Sequence, residues 1–221
     1  MVLASTLAPQ SPPPTLAVNS FWLASIVVAT LFAILYPLAL AIFVHRRLHV
    51  GWRYFGFGAL VFFVFQLITR VPLVTVFGLV LAPQLEASLP FTYAWLVILV
   101  ITAGLFEEVG RYVGYRWLMR REEKTWRKAI MYGVGHGGLE SMLLVGGSLL
   151  LTLVNVLTIS SIGLNGLPSA QRATVAQQFA TINAQPGWLP LLGSCERPGT
   201  IPINIALSEI VLQGFRRKTL G

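Results

Sequence analysis

Charge is scarce in this sequence, and that scarcity decides the class. Lysine and arginine number 16 and the acids 8, so 11% of the 221 residues are charged. A soluble domain carries about 25%. With 55% of residues hydrophobic, a soluble fold would turn too much apolar surface to water. Cysteine is nearly missing. Cys195 stands alone, which excludes an intrachain disulfide and a cysteine-based metal cluster. No Walker-type or dinucleotide-binding glycine fingerprint occurs, so no nucleotide partner is implied. The net charge of +8 does not point to nucleic acid either, because the basic residues sit in gaps between apolar runs. Arg46, Arg47 and Arg53 share one gap, Arg116 to Lys128 another, and Arg216 to Lys218 the end. That is the pattern of loops that set membrane topology.

The apolar runs are long enough to cross a bilayer. Residues 1–20 are uncharged and rich in proline, and read as a disordered tail without the basic leader of a secretory signal. Phe21 to Val44 is free of charge and reads as a first span with Pro37 inside it. His45 and His49 then fall in a basic interfacial loop. Tyr54 to Leu81 is broken by Arg70-Val71-Pro72, and is either one kinked span or a span followed by a re-entrant piece. Arg70 either anchors and packs or lines an internal site. Phe91 to Gly114 is a third span. Ala129 to Leu164 exceeds one crossing, with Gly146-Gly147 near its middle, so one long helix and two short pieces both fit. Gly163 to Pro190 reads as an external loop, and Leu191 to Phe215 as a last span interrupted by Arg197-Pro198-Gly199 and Pro202. Counting five crossings puts the N-terminus outside and every basic gap on the cytoplasmic side.

Inside these spans lie polar groups that hydrocarbon disfavours. Glu107 stands one turn from Arg111, so the two can pair and leave Glu108 a free carboxylate. His136 and Glu140 are one turn apart, and Gly133, Gly135, Gly137 and Gly138 surround the histidine. Those glycines allow either the close approach of a neighbouring helix or room for a ligand or water. Asn204, Ser208 and Glu209 form a third, compositionally weaker group. All three groups can meet in the cytoplasmic half of the bilayer. Two carboxylates and a histidine at one depth fit hydrolysis through a metal or a polarised water. They equally fit a proton or cation path, or plain helix-fastening pairs.

Glu107-Glu108-x-x-Arg111, with Ala103 to Phe106 before it and Tyr112 after, resembles the first motif of the YhfC-type intramembrane proteases. These belong to the wider group of CAAX prenyl-protein proteases and bacteriocin-processing enzymes. Tyr132 to Glu140 resembles the second motif, and Ile203 to Ser208, leading to Arg216-Arg217-Lys218, the third. The resemblance implies that Glu107 or Glu108 is the general base that activates water, while the other helps to hold a metal or the proton. It implies that Arg111 orients the carboxylates and that His136 binds metal or positions water with Glu140 as its partner. A divalent metal, zinc by preference, would then be held by Glu108 and His136, with Asn204 and Ser208 as further candidates. The family has a histidine where this chain has Asn204, and an amide oxygen is a poor substitute for imidazole on zinc. The family also continues into further hydrophobic sequence past the basic cluster, so a shortened or diverged member is expected.

The expected fold class is all-α: a polytopic membrane helix bundle of about five to six transmembrane helices. Residues 1–20 form the tail and 21–221 a single transmembrane domain. The expected setting is the cytoplasmic (inner) membrane, crossed several times, with the lipid bilayer and a membrane protein or peptide substrate as partners. The expected function is that of an intramembrane endopeptidase, of metallo or glutamic type, with a carboxylate-activated water. The alternatives are an inactive member acting as a membrane interaction protein, and a non-hydrolytic ion or solute transporter built from the same groups.

Overall fold

The computed structural model describes residues 16–217 and is helical throughout, with no strand among the described residues. The tail expected over 1–20 lies outside the described residues as far as residue 15, and so does Lys218 of the terminal basic cluster. Four helices are long and apolar enough to cross a membrane: α1 (Ser20–Leu48), α2 (Trp52–Val80), α3 (Leu89–Leu118) and α4 (Trp126–Ile162). Among the described residues two further long helices follow, α5 (Ser169–Ala184) and α6 (Arg197–Arg216), with short helical pieces at Ala82–Ala87 and Leu192–Cys195. The molecule is an all-α membrane helix bundle. The last crossing expected from sequence corresponds to α6, which is not among the four because Arg197, Asn204, Ser208 and Glu209 make it too polar.

Both ambiguous runs are single helices. In α2 the Arg70-Val71-Pro72 break is absorbed by a π-helical stretch, Phe63–Arg70. The wider turn lets the Val71 N–H reach the Gln66 carbonyl just before the proline, which has no N–H to offer. Arg70 packs between helices, donating to the Leu99 carbonyl at 2.5 Å and to the Thr102 hydroxyl at 3.4 Å. The 37 residues of α4 run unbroken past Gly146-Gly147 through another π-helical stretch, Ser141–Gly146. At 1.5 Å per residue that helix is about 55 Å long, well beyond a hydrocarbon layer of roughly 30 Å.

One loop expectation is corrected. The segment expected as an external loop contains α5, because Ser169 to Ala184 is rich in alanine and glutamine, which favour helix. Its Phe179 is buried against Trp22, Ile26 and Val156. The break expected at Arg197-Pro198-Gly199 is present: a short helix, Leu192–Cys195, ends just before it, and α6 starts on it. Pro198 sits in the first turn of α6, where its missing N–H leaves no bond unmade.

The core is organised around the first half of α4. It packs on α2 along one side, on α6 along another and on α1 along a third. The glycines of the second motif make this possible. A Cβ on Gly135 would fall 2.0 Å from the Phe55 carbonyl oxygen of α2, and one on Gly133 would fall 2.5 Å from the Ile205 Cα of α6. Gly58 of α2 meets the Tyr132 carbonyl in return, at 1.9 Å for a built Cβ. Of the two uses foreseen for these glycines, helix approach is the one realised at Gly133 and Gly135. By contrast, the buried residues of α3 gather near one end, at Gly110, Arg111, Gly114 and Tyr115, while its apolar length is tied to α2 through the Leu99 and Ala103 carbonyls and the Thr102 hydroxyl.

At the basic end, Glu122 ties the loop after α3 to α2 and α4. It accepts from the Tyr54 hydroxyl at 2.7 Å and pairs with Arg53 at 2.9 Å and Lys128 at 3.0 Å. The Tyr54 hydrogen bond, helped by the two cations, holds its carboxyl below the usual range. His45 closes the adjoining turn through Nδ1 and the Val50 carbonyl at 2.7 Å, away from the polar cluster.

Gly135→Ala should destabilise the bundle by about 3 kcal/mol or more, since neither backbone can yield. Gly104→Ala, with nothing within 4 Å of its Cβ, should be neutral or stabilising by up to about 1 kcal/mol. Unfolding of both variants in mixed micelles measures the difference, and equal stabilities would contradict this packing.

Candidate functional site

Four helices place the polar groups. Helix α3 carries Glu107, Glu108 and Arg111, α4 carries His136 and Glu140, α6 carries Arg197, Asn204 and Ser208, and α2 carries Gln66. Arg111 is fully buried at their centre. Its two Nη atoms reach Glu108 Oε1 at 2.5 Å and Glu107 Oε2 at 3.1 Å, and Nη2 also donates to Asn204 Oδ1. The expected free carboxylate on Glu108 is therefore corrected. Positions i−3 and i−4 both lie on the face of Arg111, and a planar guanidinium has donors enough for both.

The expected partnership of His136 with Glu140 does not form either. Glu140 turns to α6, where Arg197 Nη1 lies 3.2 Å away and the Asn204 amide donates at 3.3 Å. His136, with no exposed surface, stands edge-on to the Phe62 ring at 5.3 Å. Its Nε2 is 3.8 Å from Glu107 Oε2, just beyond hydrogen-bond reach, and both ring nitrogens are buried without a hydrogen-bond partner. Across such a gap a side-on water can bridge the two groups.

Glu107 is held from its other side as well. Gln66 Nε2 donates to Glu107 Oε1 at 3.0 Å and to the Ala103 carbonyl at 3.1 Å. Gln66 belongs to the π-helical stretch of α2, so the irregular turn aims this amide at the carboxylate. Ser208 is buried, but its hydroxyl donates to the Asn204 carbonyl at 2.8 Å and supports the helix backbone. The cluster opens outward at the carboxylates, whose side chains are 22% exposed for Glu107 and 41% for Glu108.

Gln66 and Arg197 escape a reading of the sequence. A lone glutamine in an apolar run is a weak but real signal, since its amide must find partners in hydrocarbon. Arg197 carries none, because Arg-Pro-Gly also reads as a break.

The residues do not fit the divalent metal that the sequence resemblance implies. Zinc in a catalytic site takes three protein ligands. His136 Nε2 and Glu107 Oε2 could supply two. Asn204 Oδ1 and Glu108 Oε1 both accept from Arg111, whose positive charge sits beside the place a cation would take. Among the described residues no three His, Cys, Asp or Glu side chains could hold an ion together.

The sequence model of the YhfC intramembrane metalloprotease family matches residues 32–220, which contain every residue of this cluster. A curated relative described as an uncharacterized membrane protein YhfC, from Bacillus subtilis (strain 168), is 30% identical over 190 residues, covering 84% of this chain and 72% of the relative. No solved structure matches. The match over most of the chain, with the three polar motifs inside it, means that this protein belongs to the YhfC intramembrane metalloprotease family.

Proposed function

We propose that this chain is an intramembrane endopeptidase that hydrolyses peptide bonds of membrane-associated protein or peptide substrates. The observation that carries this reading is the approach of Glu107 Oε2 to the unpartnered His136 Nε2 at 3.8 Å, beside carboxylates open to the outside. A water beside this pair, within reach of both, would be oriented by His136 and would give its proton to Glu107 as its oxygen attacks the peptide carbonyl carbon. The same proton would then pass to the leaving amine as the C–N bond breaks. Arg111 and Gln66 hold the Glu107 carboxylate in place for this transfer, and Glu108 shares the guanidinium on the open side. No step is assigned to zinc, since the chain brings two candidate ligands together where three are needed.

The proposed setting is the cytoplasmic membrane, with the N-terminus outside and α6 as a fifth crossing. Support comes from the basic segments 45–53, 115–128 and 216–217, parts of which gather around one hollow at one end of the bundle. Lone Cys195 is exposed and lies before α6, at the opposite end of that crossing.

A peptide-library assay on protein in nanodiscs should show cleavage that falls about 10²–10⁴-fold in Glu107→Gln, with insertion and folding unchanged. Cleavage unaffected by Glu107→Gln and His136→Ala together would refute this site. A folded protein that cleaves nothing but carries a pH-dependent ion flux would favour a transporter. Elemental analysis should find well below one tightly bound metal per chain, and a chelator should leave cleavage intact. Stoichiometric zinc with chelator-sensitive activity would overturn the metal-free reading. In intact cells, an impermeant thiol reagent should label native Cys195 from outside. It should not label Glu123→Cys in a Cys195→Ser background, and the reverse pattern would invert the topology.

A further inference from the structure

The hollow at the basic end of the bundle is separate from the cluster around Arg111. It has a volume of about 760 Å³ and lies between the end of α1, the loop leading into α4 and the end of α6. Four cations line it, Lys124, Arg127, Lys128 and Arg216, against the two carboxylates Glu122 and Glu123. Glu122 is already engaged by Arg53, Tyr54 and Lys128. The other three cations have no carboxylate partner among the described residues. Lys124 Nζ donates to the Met119 carbonyl at 3.2 Å and sits 5.5 Å from the Phe215 ring, and Arg127 lies 5.5 Å from the ring of Trp126. Both arginine side chains at the hollow are on exposed residues.

The rest of the wall is mostly apolar, Leu48, Val50, Trp126 and Phe215, together with His49 and Thr125. A free anion in water has no use for such a wall, whereas a lipid has both a charged headgroup and a hydrocarbon root. The hollow also sits where three helices reach the end of the bundle, among basic residues of the kind that flank membrane spans. Tryptophan is a common anchor at the membrane–water interface. We propose that this hollow binds the phosphodiester of an anionic phospholipid, with Lys124, Arg127 and Arg216 around the phosphate and Trp126 and Phe215 against the glycerol and upper acyl chains. Each basic side chain near a membrane surface contributes measurably to holding an anionic lipid, and a hollow of several hundred Å³ is the usual size of a small-molecule site.

The test uses the full chain in a neutral detergent, with dioctanoyl phosphatidylglycerol, dioctanoyl phosphatidylcholine and inorganic phosphate as separate probes. Phosphatidylglycerol should raise the melting temperature of the wild type, and phosphatidylcholine at the same concentration should not. Arg127→Gln with Arg216→Gln should weaken the phosphatidylglycerol response by roughly tenfold or more, while Arg127→Lys with Arg216→Lys should largely keep it. Should the double glutamine variant prove unstable, exposed Arg127→Gln alone should give a smaller loss in the same direction. Equal responses to both lipids, or an undiminished response in the glutamine variants, would overturn the proposal. A response to inorganic phosphate equal to that of phosphatidylglycerol, and lost in the same variants, would identify a free-phosphate site and overturn the lipid assignment.

Discussion

The fold depends on backbone meeting backbone along α4. With hydrogen in place of a side chain at Gly133 and Gly135, helices α6 and α2 come so close that a single methyl group would collide with main-chain atoms on either side. Between helices in lipid there is little hydrophobic gain to be had, since the tails are as apolar as leucine, so close packing and hydrogen bonds hold a bundle together. The polar groups that α4 and α6 carry into the bundle are positioned by that contact. It sets His136 under α2, where Phe62 meets it, and Glu140 against α6, where Asn204 and Arg197 meet it.

Upon that frame sits an electrostatic arrangement centred on one guanidinium. A buried charge is tolerable only when it is paired and its hydrogen bonds are filled, and removal of one partner typically costs about 3–5 kcal/mol. Arg111 meets that demand with two carboxylates of its own helix and the amide of Asn204. Asn204 is the hinge of the network. Its oxygen faces Arg111 and its nitrogen faces Glu140, so the amide orientation is determined from both ends and links two ion pairs on different helices. Asn204 is thus matched to its neighbours through both ends of its amide.

Much of this was legible in the residues alone. Long uncharged runs give spans whatever their partners, and three polar groups at one depth can meet, since isolation in hydrocarbon is costly. Which group faces which was not legible. His136 and Glu140 are one turn apart on α4, and the i,i+4 rule pairs them, yet it says nothing of the stronger partner waiting on α6. Arg197 lies 57 residues from Glu140, and only the closure of the bundle joins them. Gln66 depends on a π-helical stretch that no periodicity announces. Helix α5 was hidden by its polarity, for a polar helix resting on Trp22 and Ile26 needs only Phe179 and a few neighbours to hold it.

Helix α3 presents an unusual division of labour. Its buried residues gather at the end that carries Arg111, while the apolar length above them faces lipid on most sides. Within that length, however, Arg70 and Gln66 of α2 donate to the Leu99 and Ala103 carbonyls, about two turns and one turn before Glu107. The carboxylates therefore ride between two attachments to the protein, and packing against α2 and α4, more than the thickness of the surrounding bilayer, sets their approach to His136.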